Sequence, residues 1–133
     1  MPASNELTLE QRRAKHALEK VKSIRDKKYE SKFRSYVERL PSMIVMNGLG
    51  QAMAFELACA ELGKTENRTS EMEAHNELYK IVESWLKECK VYPNGNLIES
   101  IVENEQETYI RAQAESLAYL EWLKKFSQAY LKQ

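Results

Sequence analysis

Between Leu49 and Ala60 only Gly50, Gln51 and Glu56 interrupt an apolar run. A run of this length makes about three helical turns and is too short to cross a bilayer. A helix in water that is apolar nearly all round has to be enclosed by other helices. The stretch therefore predicts an all-α chain, a compact bundle of about five to six helices around a buried central helix, Leu49–Ala60. Asn47-Gly48 supplies the bend ahead of it, since both residues tolerate a left-handed backbone. Pro41 fixes the start of a short segment before that bend.

The rest of the chain agrees with helices. It has three prolines and four glycines in 133 residues. That length predicts one domain, residues 1–133, with 1–7 a flexible start. Cys59 and Cys89 fall on expected apolar faces, where a buried, reduced thiol of a cytoplasmic protein is expected. No second Cys or His stands at ligand spacing, so no metal and no cofactor is expected. Met1–Asn5 is too short and polar for an export signal, and no stretch suits a membrane. The formal net charge is zero but graded. Residues 1–65 hold twelve Lys and Arg against eight Asp and Glu, and residues 66–107 hold four against ten. A chain that binds nucleic acid tightly by itself is usually more basic, so only a local basic patch is expected.

Taken in order, Thr8-x-x-Gln11 reads as a capping box that starts a helix near Leu9. Ala14, Ala17, Leu18, Val21 and Ile24 give its core stripe. Arg13, His16, Lys20 and Lys27 lie on another flank with no acid among them. That flank is either a solvated face, with His16 exposed, or a contact for RNA phosphate. A second helix spans Tyr29 to Leu40, with Tyr29, Phe33, Tyr36, Val37 and Leu40 inward and Glu30, Arg34 and Glu38 paired along the surface. Pro41 ends or kinks it at Leu40. Its aromatics beside Lys28, Lys32 and Arg39 are core residues or, less simply, a base-stacking platform. Gly63 stops the central helix, and Ser70-x-x-Glu73 caps the next. There His75, Leu78, Tyr79, Val82, Trp85, Leu86 and Cys89 repeat at helical spacing, with His75 at the boundary. Val91–Asn96 is a turn, and Asn96 caps a short helix, Leu97–Val102. Acidic residues from Glu103 to Glu107 suit the first turn of a final helix whose main stripe is Ile110, Ala114, Leu117, Leu120, Leu123, Phe126 and Tyr130. Lys124, Lys125 and Lys132 suit its C-terminal end.

No catalytic constellation is visible. The two histidines stand on separate helices, and Asn47-Gly48-Leu49-Gly50 lacks the Lys-Ser/Thr of a phosphate loop. A helix-turn-helix DNA-binding regulator would need polar side chains on its second helix, where this chain offers only Gln51 and Glu56. A generic helical adaptor is compatible with the composition.

Two blocks add to this reading. Leu40-Pro41-x-x-Ile44-x-x-Asn47-Gly48-Leu49-Gly50-Gln51-Ala52-x-Ala54-Phe55, followed by Tyr109-x-Arg111 and Glu115 to Phe126 with Trp122, resembles one family over nearly the whole chain. That family is the small all-helical subunit, the fifth Cmr subunit, of the type III-B CRISPR RNA-targeting effector. The resemblance implies a non-catalytic subunit that stacks with copies of itself in the minor filament, beside the backbone and large subunits. It also implies sequence-independent contacts to guide and target RNA, with pairing to the guide supplying selectivity. Candidate RNA contacts are Arg13, Lys20, Lys27, Lys28, Lys32, Arg39 and Arg111. Pro41, Asn47, Gly48, Gly50, Phe55 and Trp122 are expected to set turns or packing. Gln51 caps or bridges helices or faces a neighbouring subunit. Arg111 pairs with Glu107 or Glu115 or contacts RNA.

Overall fold

A computed structural model describes residues 6–133. The expected flexible start falls largely on residues 1–5, outside the described residues; Glu6 and Leu7 lie exposed ahead of the first cap. Among the described residues there are six helices and no strand: α1 (Leu9–Ile24), α2 (Glu30–Asn47), α3 (Leu49–Ala60), α4 (Ser70–Glu88), α5 (Leu97–Glu103) and α6 (Gln106–Tyr130). The all-helical bundle expected from the sequence is therefore present.

The Thr8 capping box forms as read. The Gln11 N–H donates to Thr8 Oγ1 and the Thr8 N–H donates to Gln11 Oε1. Asn96 likewise accepts from the Glu99 N–H. Other boundaries shift. α2 does not stop at Leu40 but runs through Pro41 to Asn47. Proline in a helix interior costs about 3 kcal/mol. Phe33, Val37, Leu40 and Ile44 are buried on both sides of Pro41, and that packing holds the helix together across it. Only Gly48 takes positive φ at the bend; Asn47 remains the last helical residue. α3 ends on Glu61, in the left-handed region, rather than at Gly63. The cap of α4 is Thr69, not Ser70, and Glu73 pairs with Arg68 instead. Arg68 also donates to the Ala60, Glu61 and Lys64 carbonyls, which satisfies the end of α3.

α3 departs most from expectation. It is not enclosed: Leu49, Ala52, Met53, Glu56 and Ala60 are buried, while Gln51, Ala54, Phe55 and Ala58 are exposed. Phe55, expected to pack, is 45% exposed. The run owes its apolarity partly to four alanines, whose small side chains cost little when left in water. The centre is shared instead by α2, which packs on α3, α4 and α6, and by α4, which packs on all the other long helices. Trp85 of α4 and Tyr119 of α6 are its largest fully buried side chains and stack with ring centroids 5.3 Å apart.

Side-chain pairs fix the directions. Arg13 meets Glu115 and His16 meets Tyr119, so α1 and α6 run parallel. Glu38 meets Gln128 and the Leu49 N–H meets Gln113, so α2 runs against α6. The α1–α2 turn thus lies beside the end of α6, while the α2–α3 bend and α5 lie beside its start.

Candidate functional site

The two motif blocks of the sequence meet in space. Gly48 sits at φ +88° and ψ 157°, a region essentially reserved for glycine. The chain turns there into α3, whose first N–H groups have no partner within the helix. α6 supplies them: the Leu49 N–H donates to Gln113 Oε1 at 2.9 Å, and the Gly50 N–H donates to the Tyr109 hydroxyl oxygen at 2.9 Å. Tyr109 and Gln113 are four apart and share one side of α6. A Cβ on Gly48 would lie 2.9 Å from that hydroxyl, and one on Gly50 would touch Ile101 and Tyr109. Sequence reasoning missed Gln113; its helical spacing from Tyr109 is the signal that could have found it. Gln51 is exposed and does not bridge helices here, and Trp122 is half-buried against the core.

The basic candidates separate into two groups. Arg13 is not a free cation. Its guanidinium donates to both Glu115 oxygens, at 2.6 and 2.8 Å, and to Glu10 at 2.7 Å. These bonds, that to Glu115 first, raise its pKa still further against the cost of burial. Burial alone would raise the Glu115 carboxyl, but hydrogen bonds from Arg13 and Trp85 Nε1 outweigh it and hold the carboxyl below its usual range. Arg111 therefore does not pair with Glu115; it is exposed and has no carboxylate within 4 Å among the described residues. Lys20 is half-buried, and Lys27, Lys28, Lys32 and Arg39 are exposed. Lys27 and Lys28 border a depression of about 390 Å³ whose opposite wall is Arg68 and the start of α4. Lys32 and Arg39, seven apart, share one side of α2. Glu30, expected to pair on the surface, is buried and accepts from the Asp26 and Lys132 N–H groups.

The aromatic side of α2 is not a stacking platform. One face of Tyr36 is covered by His75, at a centroid separation of 3.9 Å, and the Arg39 guanidinium lies 4.8 Å from the ring centroid. His75 is buried rather than at the boundary, and its Nδ1 is 3.0 Å from Glu56 Oε1. Glu56 is only 2% exposed, and burial raises its pKa although His75 opposes the shift. Phe55 lies edge-on to the same imidazole.

His16 is buried, not exposed on a basic flank. Nδ1 lies 2.6 Å from the Tyr119 hydroxyl and Nε2 lies 3.0 Å from Ser84 Oγ. Burial, with Lys20 adding to it, lowers its pKa to about 4. A neutral imidazole with one donor and one acceptor satisfies both neighbours. Cys59 and Cys89 are free and half-buried, less enclosed than expected, and burial raises both thiol pKa values. Among the described residues, no group of three or more His, Cys, Asp or Glu is placed to hold a metal ion, and no helix is long and apolar enough to cross a membrane. The outward side of α3, which a helix-turn-helix would lay in the major groove, presents Gln51, Ala54, Phe55 and Ala58 and no cation.

Residues 9–130 match the family described as CRISPR-associated protein (Cas_Cmr5). Among solved structures, the chain is similar to the crystal structure of a CRISPR-associated Cmr5 family protein from Thermus thermophilus. The two share 29% identity, with a TM-score of 0.73 over 95% of this chain and all of the other. With its two motif blocks locked together at the start of α3, this chain belongs to the Cmr5 family of CRISPR-associated proteins.

Proposed function

We propose that this chain is a non-catalytic structural subunit of a type III-B CRISPR RNA-guided RNA-targeting (Cmr) complex. It stacks in the minor filament beside the backbone and large subunits and helps to hold guide and target RNA. The observation that supports RNA contact is the row Lys28, Lys32 and Arg39. All three are exposed along α2 and the turn before it, and none has a carboxylate within 4 Å among the described residues. Cations held this way meet phosphates without reading bases, and sequence selectivity is left to the guide. Arg13 drops out of this set because it ties α1 to α6.

Purification from the native cell tests the reading. Other Cmr subunits and a guide RNA should come down with the chain; their absence from a stable preparation would refute subunit status. Reversing Lys28, Lys32 and Arg39 to Glu together should weaken target RNA binding by the assembled complex while helicity and melting temperature hold. Unchanged RNA binding at low salt would remove this row from the interface.

A further inference from the structure

Three planar groups are layered between the core and the outer side of α2. Beneath them, Glu56 Oε1 of α3 lies 3.0 Å from His75 Nδ1 of α4, and both side chains are buried. The His75 imidazole stacks on Tyr36 of α2, with centroids 3.9 Å apart and planes 14° from parallel. Phe55 meets the same imidazole edge-on at 6.1 Å. The Arg39 guanidinium, one turn beyond Tyr36 on α2, lies 4.8 Å from the tyrosine centroid. His75 fills one face of Tyr36 at stacking distance, so Arg39 covers the other. Each layer orients the next: Glu56 sets the imidazole, the imidazole holds the phenol ring, and the phenol ring holds the guanidinium.

Neither face of Tyr36 is open to a base. The outermost layer is Arg39, which is exposed and has no hydrogen bond or ion pair among the described residues. The other placed arginines differ. Arg13 and Arg68 direct their donors at carboxylates and carbonyls of this chain. Arg12, 5.9 Å from the Trp85 centroid, is half-buried and donates to the Glu88 carbonyl. Lys28 and Lys32 are point charges without a plane. A guanidinium is planar, and its weakly hydrated faces stack on nucleobases while the N–H groups at its edge stay free for phosphate. A base that settles on a loose arginine has to immobilise it first; Arg39 is already held, which reduces that cost.

We infer that Arg39, supported by Tyr36 and His75, is a stacking plane for one unpaired base of a single-stranded RNA that runs along α2, with Lys28 and Lys32 on its phosphates. The inference rests on the RNA contact of the proposed function and gives one residue of that row a task beyond charge. Stacking ignores the hydrogen-bonding edges of a base, so selectivity is still left to the guide. Tyr36 is a positioning residue, since it meets the arginine and not the base.

Anisotropy titrations of the full chain at about 0.01 M salt, where screening is weak, test this with two labelled strands of equal length. One is an unstructured RNA and the other an abasic ribose-phosphate strand. The wild type should bind the RNA about fivefold or more tightly than the abasic strand. Arg39→Lys keeps the charge and removes the plane, so it should bind both strands alike, with the salt slope unchanged. Tyr36→Leu leaves the guanidinium unsupported and should lose most of the same preference. Lys32→Gln should weaken both strands equally and keep the preference. Circular dichroism should show each variant still helical. The inference is overturned if the wild type binds the two strands alike, or if Arg39→Lys retains the preference. Equal binding of both strands would leave the RNA contact standing and remove only the stacking. Binding of neither strand would remove the RNA contact itself, and the inference with it.

Discussion

Gly48 is the residue whose loss should be felt farthest. Its backbone lies where a side chain is strained, and a Cβ there would press on the hydroxyl that satisfies the Gly50 N–H. Strain of this kind costs about 1–3 kcal/mol, and the displaced hydroxyl leaves a helix donor unpaired. Gly48→Val should lower the melting temperature by roughly 5–15 °C. Gly63→Ala, with no neighbour within 4 Å and no positive φ, should leave it within about 2 °C. Equal melting curves for Gly48→Val and the wild type would refute the account of the bend. His16 gives a second test. Its folded pKa, about 4, lies below the ordinary 6.5. Between these values the unfolded chain binds a proton that the folded chain does not, so stability falls as pH falls through that window. The wild type should therefore lose about 2 kcal/mol from this residue between pH 7 and pH 5. The stability gap between the wild type and His16→Gln should close by the same amount in urea titrations. A gap independent of pH would mean that His16 is not held neutral.

At the scale of elements, the helices were legible where periodicity and capping agreed. The α1 cap, the inward row of α4 and the Asn96 cap stand close to where their residues place them. What misled was apolarity without size. α3 reads as apolar all round, yet alanine carries little area, and the helix lies against α2 and α4 by one side. Phe55→Ser should accordingly cost less than about 1 kcal/mol, whereas Met53→Ala, fully buried, should cost about 2–5 kcal/mol. α6 misled for a different reason. Of its expected stripe, Leu120 and Leu123 are buried and Leu117 and Phe126 pack against the core, but Ile110, Ala114 and Tyr130 are exposed, while Ala112, Ser116, Tyr119 and Ser127 are buried. The inner face thus mixes Leu120 and Leu123 with alanine, tyrosine and serines, which a search for apolar residues alone does not pick out. Periodicity also cannot see partners from distant helices. Arg13 read as a loose cation because Glu115, more than a hundred residues away, is absent from any local window. Glu115→Leu should cost about 3 kcal/mol, because it strands a half-buried guanidinium and the Trp85 N–H. A loss below about 1 kcal/mol in denaturant titration would show that this tie between α1 and α6 is dispensable.

For the molecule as a whole, a net charge of zero conceals an acidic end, a basic end and a cationic row along the side of α2. On the proposed RNA contact, the number of cations engaged can be counted from salt dependence alone. Each phosphate neutralised on a single strand contributes about −0.7 to the slope of log K against log salt. Contact through Lys28, Lys32 and Arg39 gives a slope of about −2, shallow beside that of a protein that lives on nucleic acid. Lys32→Gln alone should reduce the slope by about 0.7 and weaken binding to every sequence equally, because a phosphate contact carries no base information. Anisotropy titrations of a labelled single-stranded RNA over a range of salt would read both numbers. A slope near about −4 would mean that the α1–α2 end also lies on RNA, since Lys22, Arg25 and Lys27 are the cations available to steepen it. Unequal losses on different sequences would overturn the assignment of this row to the phosphate backbone. On the proposed stacking and RNA contact, the same titration on the assembled complex should be steeper, because each copy would add its own row of cations to one strand of RNA.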